Sequence, residues 1–317
     1  MTRLGEGYTT DDNARALLYL SLLPEGARDE GLVRTYLAFL LHMQKEDGRF
    51  RNGLTLDGRF EDEGEAEDPT GRAVLALAAA QRLPPPYAGP AREALLRALP
   101  ALEGFTSLRG RAYALLGLLA LPKEPFLEAA EALGEGLLRA FREAEPAWPY
   151  PGPLTYANHR PVEALYAYGL AFRRQEAVAL ARRALAFLKE HYFTPGEEGL
   201  FFDPVGNRFM ARGRDKPLFD QQPIEAKCAL LAHLRFGERV LAEVAFLWFH
   251  GRNRLRAPLV DAFGPMDGLT PHGPNQNRGA EALLAYLLAW QALVQGVFPQ
   301  VDEGVALGRV FALGGRP

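Results

Sequence analysis

Four carboxylates stand out for where they sit. Asp12, Asp68, Glu225 and Glu281 each lie at or just inside the start of an apolar run of helical length. Two carboxyls facing one bond, one protonated and one ionised, are the usual equipment for cleaving a glycoside. Around them lie groups suited to sugar hydroxyls: Tyr8, Asp11, Asn13, Arg15, Glu67, Arg72, Tyr156, Asn158, Asp220, Gln221, Gln222, Asp267, Asn275 and Asn277. Trp148 and Tyr150 could stack against a pyranose ring, or they could simply pack their own loop. His159 and His272 lie at motif ends, where two imidazoles could trade protons across a sugar.

The carboxylates belong to a repeated helix start. It reads Asn13-Ala-Arg-Ala, Thr70-Gly-Arg-Ala, Arg109-Gly-Arg-Ala, Pro161-Val-Glu-Ala, Pro223-Ile-Glu-Ala and Gly279-Ala-Glu-Ala. The charged residue before the shared alanine is Arg15, Arg72 and Arg111, then Glu163, Glu225 and Glu281. Copies recur about every 40 to 60 residues, room for a helix, a return helix and a loop. Buried charges need partners or ligands, so these six residues are expected on an inner wall, with Arg111 beside Glu163 and Glu281 beside Arg15 if the array closes. Six core helices that each carry one ion-paired charge would give the same text.

Apolar spacing of three and four places helices at 11–23, 29–45, 69–82, 90–99, 107–120, 124–142, 159–173, 175–192, 221–235, 237–250 and 277–296. Strand-like text is confined to loops, at 49–54 and 200–209, so the class is all-α. The connections after odd helices are short. Four of those after even helices are long (46–68, 143–158, 193–220 and 251–276), as functional loops are. Antiparallel succession puts the long loops, the repeated starts and the positive ends of the odd helices on one face. Six hairpins closing into a ring make an (α/α)6 toroid with odd helices inside; an open array fits the spacing equally. No composition shift divides 1–317, so one domain is expected.

Capping accounts for part of this polarity. Thr10 or Asp11 can cap the first helix, Asp68 before Pro69 the second-repeat helix, Asp220 the fifth and Asn277 the sixth. One cap per helix leaves Asp12, Asn13, Glu67, Gln221 and Gln222 over.

Composition excludes several alternatives. The net charge of -3 argues against a nucleic-acid footprint. The single cysteine, Cys228, rules out an intramolecular disulfide and a cysteine-built metal site. No His/Glu spacing offers a metal site and no glycine-rich phosphate loop follows a strand, so no metal and no cofactor are expected. No apolar run is long enough to span a membrane and no signal peptide is visible, which makes the cytoplasm the default. Abundant Arg and Pro with scarce Cys and Met look thermophile-like, although GC-rich coding leaves the same trace.

Nine motifs carry a resemblance: GYTTDDNARAL at 7–17, DGRFRN at 47–52, EDPTGRA at 67–73, LTYANHRP at 154–161, PVGN at 204–207, FDQQPIEA at 219–226, WFHGRN at 248–253, MDGL at 266–269 and NQNRGAEALLAYL at 275–287. In this order they resemble a bacterial family of six-hairpin glycosidase-like proteins, often fused to or encoded beside glycosyltransferases. The resemblance implies an (α/α)6 fold and carbohydrate-related work. The chain departs from the pattern at Ala66, where serine is usual, and at Thr70, where histidine is frequent. Met1 lies a few residues before the first motif, as in a form with no fused transferase.

The expected function is glycoside hydrolysis of an oligosaccharide or glycan. Glu281 or Glu225 is the acid and Asp12 or Asp68 the base, since a helix N-terminus favours the anion. Groups on opposite sides of a ring leave room for water, so inversion is favoured. The alternatives are a non-catalytic glycan-binding partner of a glycosyltransferase, and a sugar epimerase using His159 and His272.

Overall fold

A computed structural model describes residues 7–61, 67–121 and 123–297. The tail after Phe298, read above as a short helix or irregular packing, lies outside the described residues, as do Met1 and Ala66.

Eleven α-helices follow in order among the described residues: α1 (Thr10–Leu22), α2 (Glu30–Met43), α3 (Glu67–Ala79), α4 (Pro85–Leu102), α5 (Leu108–Leu118), α6 (Phe126–Glu143), α7 (His159–Ala171), α8 (Gln175–Tyr192), α9 (Pro223–Arg235), α10 (Arg239–Leu247) and α11 (Ala280–Gln295). Every helix read from the periodicity is present. The largest difference is α4, which starts at Pro85 rather than at 90. Proline suits the first helical position because its missing N–H has no intrahelical partner there anyway. The proline run therefore opens the helix instead of delaying it.

Odd and even helices bury different amounts of themselves. In α3 and α9, eleven of thirteen residues are buried. In α2 four of fourteen are, and in α4 five of eighteen. A helix that is apolar all round is an inner helix; one with a single apolar stripe is an outer one. The expected assignment of odd helices to the inside and even helices to the outside holds for both pairs.

The chain divides into two compact units. One comprises Gly5–Arg139 and Ala164–Ala179, the other Ala140–Glu163 and Leu180–Phe298. In the first, α3 packs between α1 and α5. The approach of α3 to α5 requires glycine: a Cβ on Gly71 would stand 2.4 Å from the Gly110 carbonyl oxygen, and one on Gly117 would stand 2.7 Å from the Leu75 Cα. In the second, α9 packs against α10 and α11.

The long loops carry short antiparallel pairs. Tyr8–Thr9 pairs with Gly53–Leu54, and Phe193–Gly196 with Gly199–Phe202. Val260–Asp261 pairs with Gly264–Pro265, and Leu269–Thr270 with Gly273–Pro274. Strands are thus confined to loops, two of them in the stretches whose text looked strand-like.

Candidate functional site

In the first unit the start of α1 is capped by Thr9, not by Thr10 or Asp11. The Thr9 hydroxyl accepts the Asp12 N–H at 3.1 Å. Thr10 is buried and spent on the neighbouring loop: its hydroxyl donates to the Arg51 carbonyl and its N–H to Asn52 O at 2.8 Å. Thr70 does the same from α3, accepting the Phe50 N–H at 2.9 Å. The DGRFRN segment is strapped to two helix starts in this way.

With capping assigned to Thr9, the acidic pair has other work. Asp11 is ion-paired with Arg72 of α3, a residue 4% exposed whose guanidinium lies 4.7 Å from the centre of the Tyr113 ring. Asp12 holds Arg15 at 2.6 Å and keeps a side chain 32% exposed. Asn13 donates to the Thr9 carbonyl at 2.7 Å. Tyr8 is exposed and rests edge-on against Phe39.

Glu67 and Asp68 brace the next helix start. Glu67 accepts the N–H groups of Thr106 at 2.8 Å and Ser107 at 2.5 Å. Asp68 accepts from the Ser107 hydroxyl and from Arg109 Nε at 2.8 Å. Arg111, the third repeat's arginine, donates to the Gly136 carbonyl at 3.3 Å. It borders a cavity of about 490 Å³ whose wall is mostly apolar, with Glu103 and Glu128, and holds none of the four candidate catalytic carboxylates.

In the second unit Glu163, Glu225 and Glu281 sit in three different settings. Glu163 is 1% exposed and is gripped by Arg160 and by Arg235 Nε at 3.0 Å. Glu225 is equally buried and accepts the N–H of Ala157, whose φ of 51° is left-handed. Glu225 therefore holds the turn that leads into α7. Its charge, after burial itself, raises the neighbouring Tyr192 hydroxyl well above the usual phenol value. Glu281 lies in the first turn of α11 and is half-buried.

The amides are largely committed. Asn158 is buried, accepts the Thr155 N–H at 2.9 Å and donates to Tyr192 at 2.7 Å. Gln221 donates to Asp203 at 2.8 Å and to Leu218 O at 2.9 Å, and accepts Trp248 Nε1 at 2.9 Å. Gln222, not Asp220, is the N-cap residue of α9, with no side-chain cap bond; Asp220 is exposed. Asp267, not Asn277, closes the start of α11, accepting the Gly279 N–H at 2.5 Å and the Asn277 amide. Asn275 is exposed and its oxygen takes the Asn277 N–H at 3.1 Å. Gly268 passes so close to Gln221 that a Cβ would lie 2.3 Å from its carbonyl oxygen, which explains the glycine of MDGL.

The aromatics divide. Trp148 is 9% and Tyr150 2% exposed. Trp148 donates to Gly152 O at 2.8 Å and packs on Phe187, while Tyr150 packs on Phe141. Both anchor their loop on neighbouring helices, Trp148 on α8 and Tyr150 on α6. Tyr156 is partly exposed against Ile224 and Cys228.

His159 is wholly buried, and neither ring nitrogen has a hydrogen-bond partner among the described residues. Burial, helped by His233 nearby, holds it well below the usual imidazole value. His233 donates to or accepts from Glu238 at 2.8 Å, yet burial outweighs the carboxylate and its value is lowered too. Glu238, hydrogen-bonded to His233, is held at about 2. His272 is exposed in a turn.

The buried histidines fix a pH response. Their folded values lie below about 6.5, the unfolded one, so the unfolded chain binds more protons as pH falls. Their contribution is intact above pH 6.5 and shrinks below it. We expect stability to fall between pH 6 and 5, with about 1.4 kcal/mol per pH unit as the ceiling for one imidazole that stays neutral in the folded chain. Urea unfolding at pH 7.5 and 5.5 measures the loss, and His159→Leu should flatten it.

One buried centre has no counterpart in the sequence reading. Asp203 is 0% exposed and binds Lys216 at 2.9 Å, Arg254 through two nitrogens at 3.0 and 2.6 Å, and Thr194 at 3.2 Å, besides Gln221. Burial alone would raise its carboxyl, but Arg254 and Lys216 hold it below the usual range. Its only sequence signal is position: Asp203 precedes PVGN directly, and Arg254 follows WFHGRN.

Among solved structures the chain is similar to a D-mannose isomerase, at TM-score 0.63 and 10% identity over 91% of this chain and 87% of that one. It is similar to cellobiose 2-epimerase from Bacillus thermoamylovorans, at TM-score 0.62 and 8% identity over 89% and 87%. A GH76 alpha-mannanase from Bacteroides thetaiotaomicron aligns at TM-score 0.59 and 10% identity over 92% and 87%. No protein-family model matches the sequence, and no curated protein matches it. The chain has the (α/α)6 fold of six-hairpin glycosidases. No helix among the described residues is long and apolar enough to cross a membrane.

Proposed function

We propose that this chain acts on a saccharide, by glycoside hydrolysis with inversion, through polar groups at the N-terminal ends of its odd-numbered helices. The observation that carries the proposal is Asp12. Thr9 caps α1 by accepting the Asp12 N–H, and the Asp12 carboxylate, taking the Thr9 hydroxyl at 3.1 Å and Arg15 at 2.6 Å, keeps its side chain a third exposed. Glu281, half-buried in the first turn of α11, is the proposed acid; Glu225 is the second choice because Ala157 already occupies one of its oxygens. Asp68 serves as base less readily, being bound to Ser107 and Arg109. Asp11, Asn13, Arg72, Gln222 and Asn275 are proposed to meet sugar hydroxyls. The sugar-acting proteins among the fold neighbours support the substrate class.

The isomerase and epimerase among those neighbours favour a second reading, isomerisation or epimerisation by His159 and His272. The burial of His159 requires its packing to open before a sugar could reach it. A third possibility, a glycan-binding partner of a glycosyltransferase, needs the same groups and no chemistry.

The test is a panel of mannose-, glucose- and galactose-linked oligosaccharides, with products read by mass spectrometry and the first-formed anomer by NMR. Shortened oligosaccharides of inverted anomeric configuration are the expected result. Retention would overturn the inverting assignment. Binding by calorimetry with no product would replace the enzyme by the module.

A further inference from the structure

The WFHGRN motif and the arginines that follow it take no part in the carboxylate chemistry above. The motif's last four residues, His250 to Asn253, with Arg254 and Arg256, line a cleft of about 540 Å³ in the second unit, together with the tip of the Phe193–Phe202 hairpin. That volume suits a small ligand. Its walls are Phe201, Leu247 and His250 on one hand, and Arg252, Arg254 and Arg256 on the other.

The loop bearing the arginines is built to hold still. Asn253 is 3% exposed and makes four hydrogen bonds: its amide nitrogen donates to Trp248 O at 2.9 Å and Ala257 O at 2.7 Å, and its oxygen accepts the N–H groups of Leu255 and Ala257 at 3.2 Å. The residues on either side of Asn253 are thereby fixed.

The three guanidiniums are not equally committed. Arg256 pairs with Glu197 at 2.6 Å, but both side chains are exposed (70% and 81%), so the pair is weak. Arg254 is held by Asp203, which also binds Lys216, so one carboxylate serves two cations. Among the described residues Arg252 has no carboxylate partner: its Nη2 donates to the Glu198 carbonyl at 2.8 Å, and its Nε is buried without a hydrogen-bond partner. Gly199, with φ of 95°, brings that hairpin within 3.1 Å of Arg252 Nη2 as measured from an added Cβ. Against these cations stand Glu197 and Glu198, both exposed. Desolvation holds His250 below the usual imidazole value. A guanidinium held on a braced loop and lining the same cleft as Phe201 matches an oxyanion attached to an apolar-faced ring.

We propose that this cleft binds a sugar bearing an oxyanion, as a phosphate ester or a carboxylate, with Arg252 as its anchor. The proposal rests on the saccharide reading above and narrows its substrate class to anionic sugars.

Calorimetric titration of the full chain with glucose 6-phosphate, glucuronate, glucose and inorganic phosphate tests it. One of the two anionic sugars should bind at least about tenfold tighter than both glucose and inorganic phosphate, and which one does so identifies the oxyanion. Arg252→Ala should weaken that binding about tenfold or more, and Arg252→Lys by an intermediate amount, because lysine keeps the charge without the fork. Arg239→Ala, on the exposed face of α10 beside Glu243, should bind as the parent does. Equal binding of inorganic phosphate would make this an ion site only and overturn the proposal. So would binding of glucose as tight as its phosphate, no binding of either anionic sugar, or full affinity in both Arg252 variants. Cleavage of neutral oligosaccharides with no anionic-sugar binding would sink this inference and leave the hydrolase standing. Anionic-sugar binding with no turnover of any glycan would do the reverse.

Discussion

Replacing Asp203 with alanine should destabilise the protein by about 3–5 kcal/mol, because it strands two cations for which it is the one paired carboxylate among the described residues. Its side chain is fully buried, and its cations Lys216 and Arg254 are 16% and 29% exposed. Removing one partner of a buried ion pair is far worse than never having built it, since the remaining charge keeps its desolvation penalty. Two neutral contacts go as well, from Gln221 and Thr194. Asp203→Asn should lose less, since the amide oxygen still accepts from Arg254 while the charge is gone. Urea unfolding midpoints at neutral pH measure both. A loss of less than about 1 kcal/mol for alanine would mean that the cations relax into solvent and that the cluster does not hold the loop.

The second large effect concerns rate. Glu281→Gln should slow turnover by about 10²–10⁴-fold with the fold intact, as expected when a general acid is removed. Asp12→Asn should fall similarly, while its amide oxygen can still accept from Arg15. Glu225→Gln discriminates. If Glu225 only positions the turn, its amide oxygen still accepts the Ala157 N–H and the rate should change little. Circular dichroism must be unchanged for any of these results to count. Near-full activity in both Glu281→Gln and Asp12→Asn would remove the acid–base assignment.

Helices were legible because inner ones are apolar on every face and outer ones carry a clear stripe. Their ends were less so. Thr9, Thr10 and Asp11 are all competent caps, and the choice of Thr9 depends on Thr10 being drawn off to Arg51, a residue far along the chain. Asp267 displaces Asn277 as the group at the start of α11 for the same reason: it arrives from a loop. The repeated arginines and glutamates were legible as buried charges, as Arg15, Arg72, Glu163 and Glu225 prove to be. Their partners were not. Glu163 takes Arg160 three residues back on its own helix and Arg235 from α9; the first pairing is local, the second is set by tertiary packing, and neither follows the repeat phase. The surplus amides of FDQQ looked available; Gln221 is consumed by Asp203, Leu218 and Trp248. Asp203 itself, a single acid between Phe202 and Pro204, offers no periodicity to read.

Incubation of the protein with the neutral and anionic saccharide panel in deuterium oxide, followed by mass spectrometry, tests the central claim most directly. Hydrolysis predicts shortened glycans whose new reducing ends have taken up solvent. Isomerisation would instead leave chain length unchanged and add one carbon-bound deuterium. No product of either kind, with no saccharide binding by calorimetry, would contradict the assignment of this chain to carbohydrate chemistry.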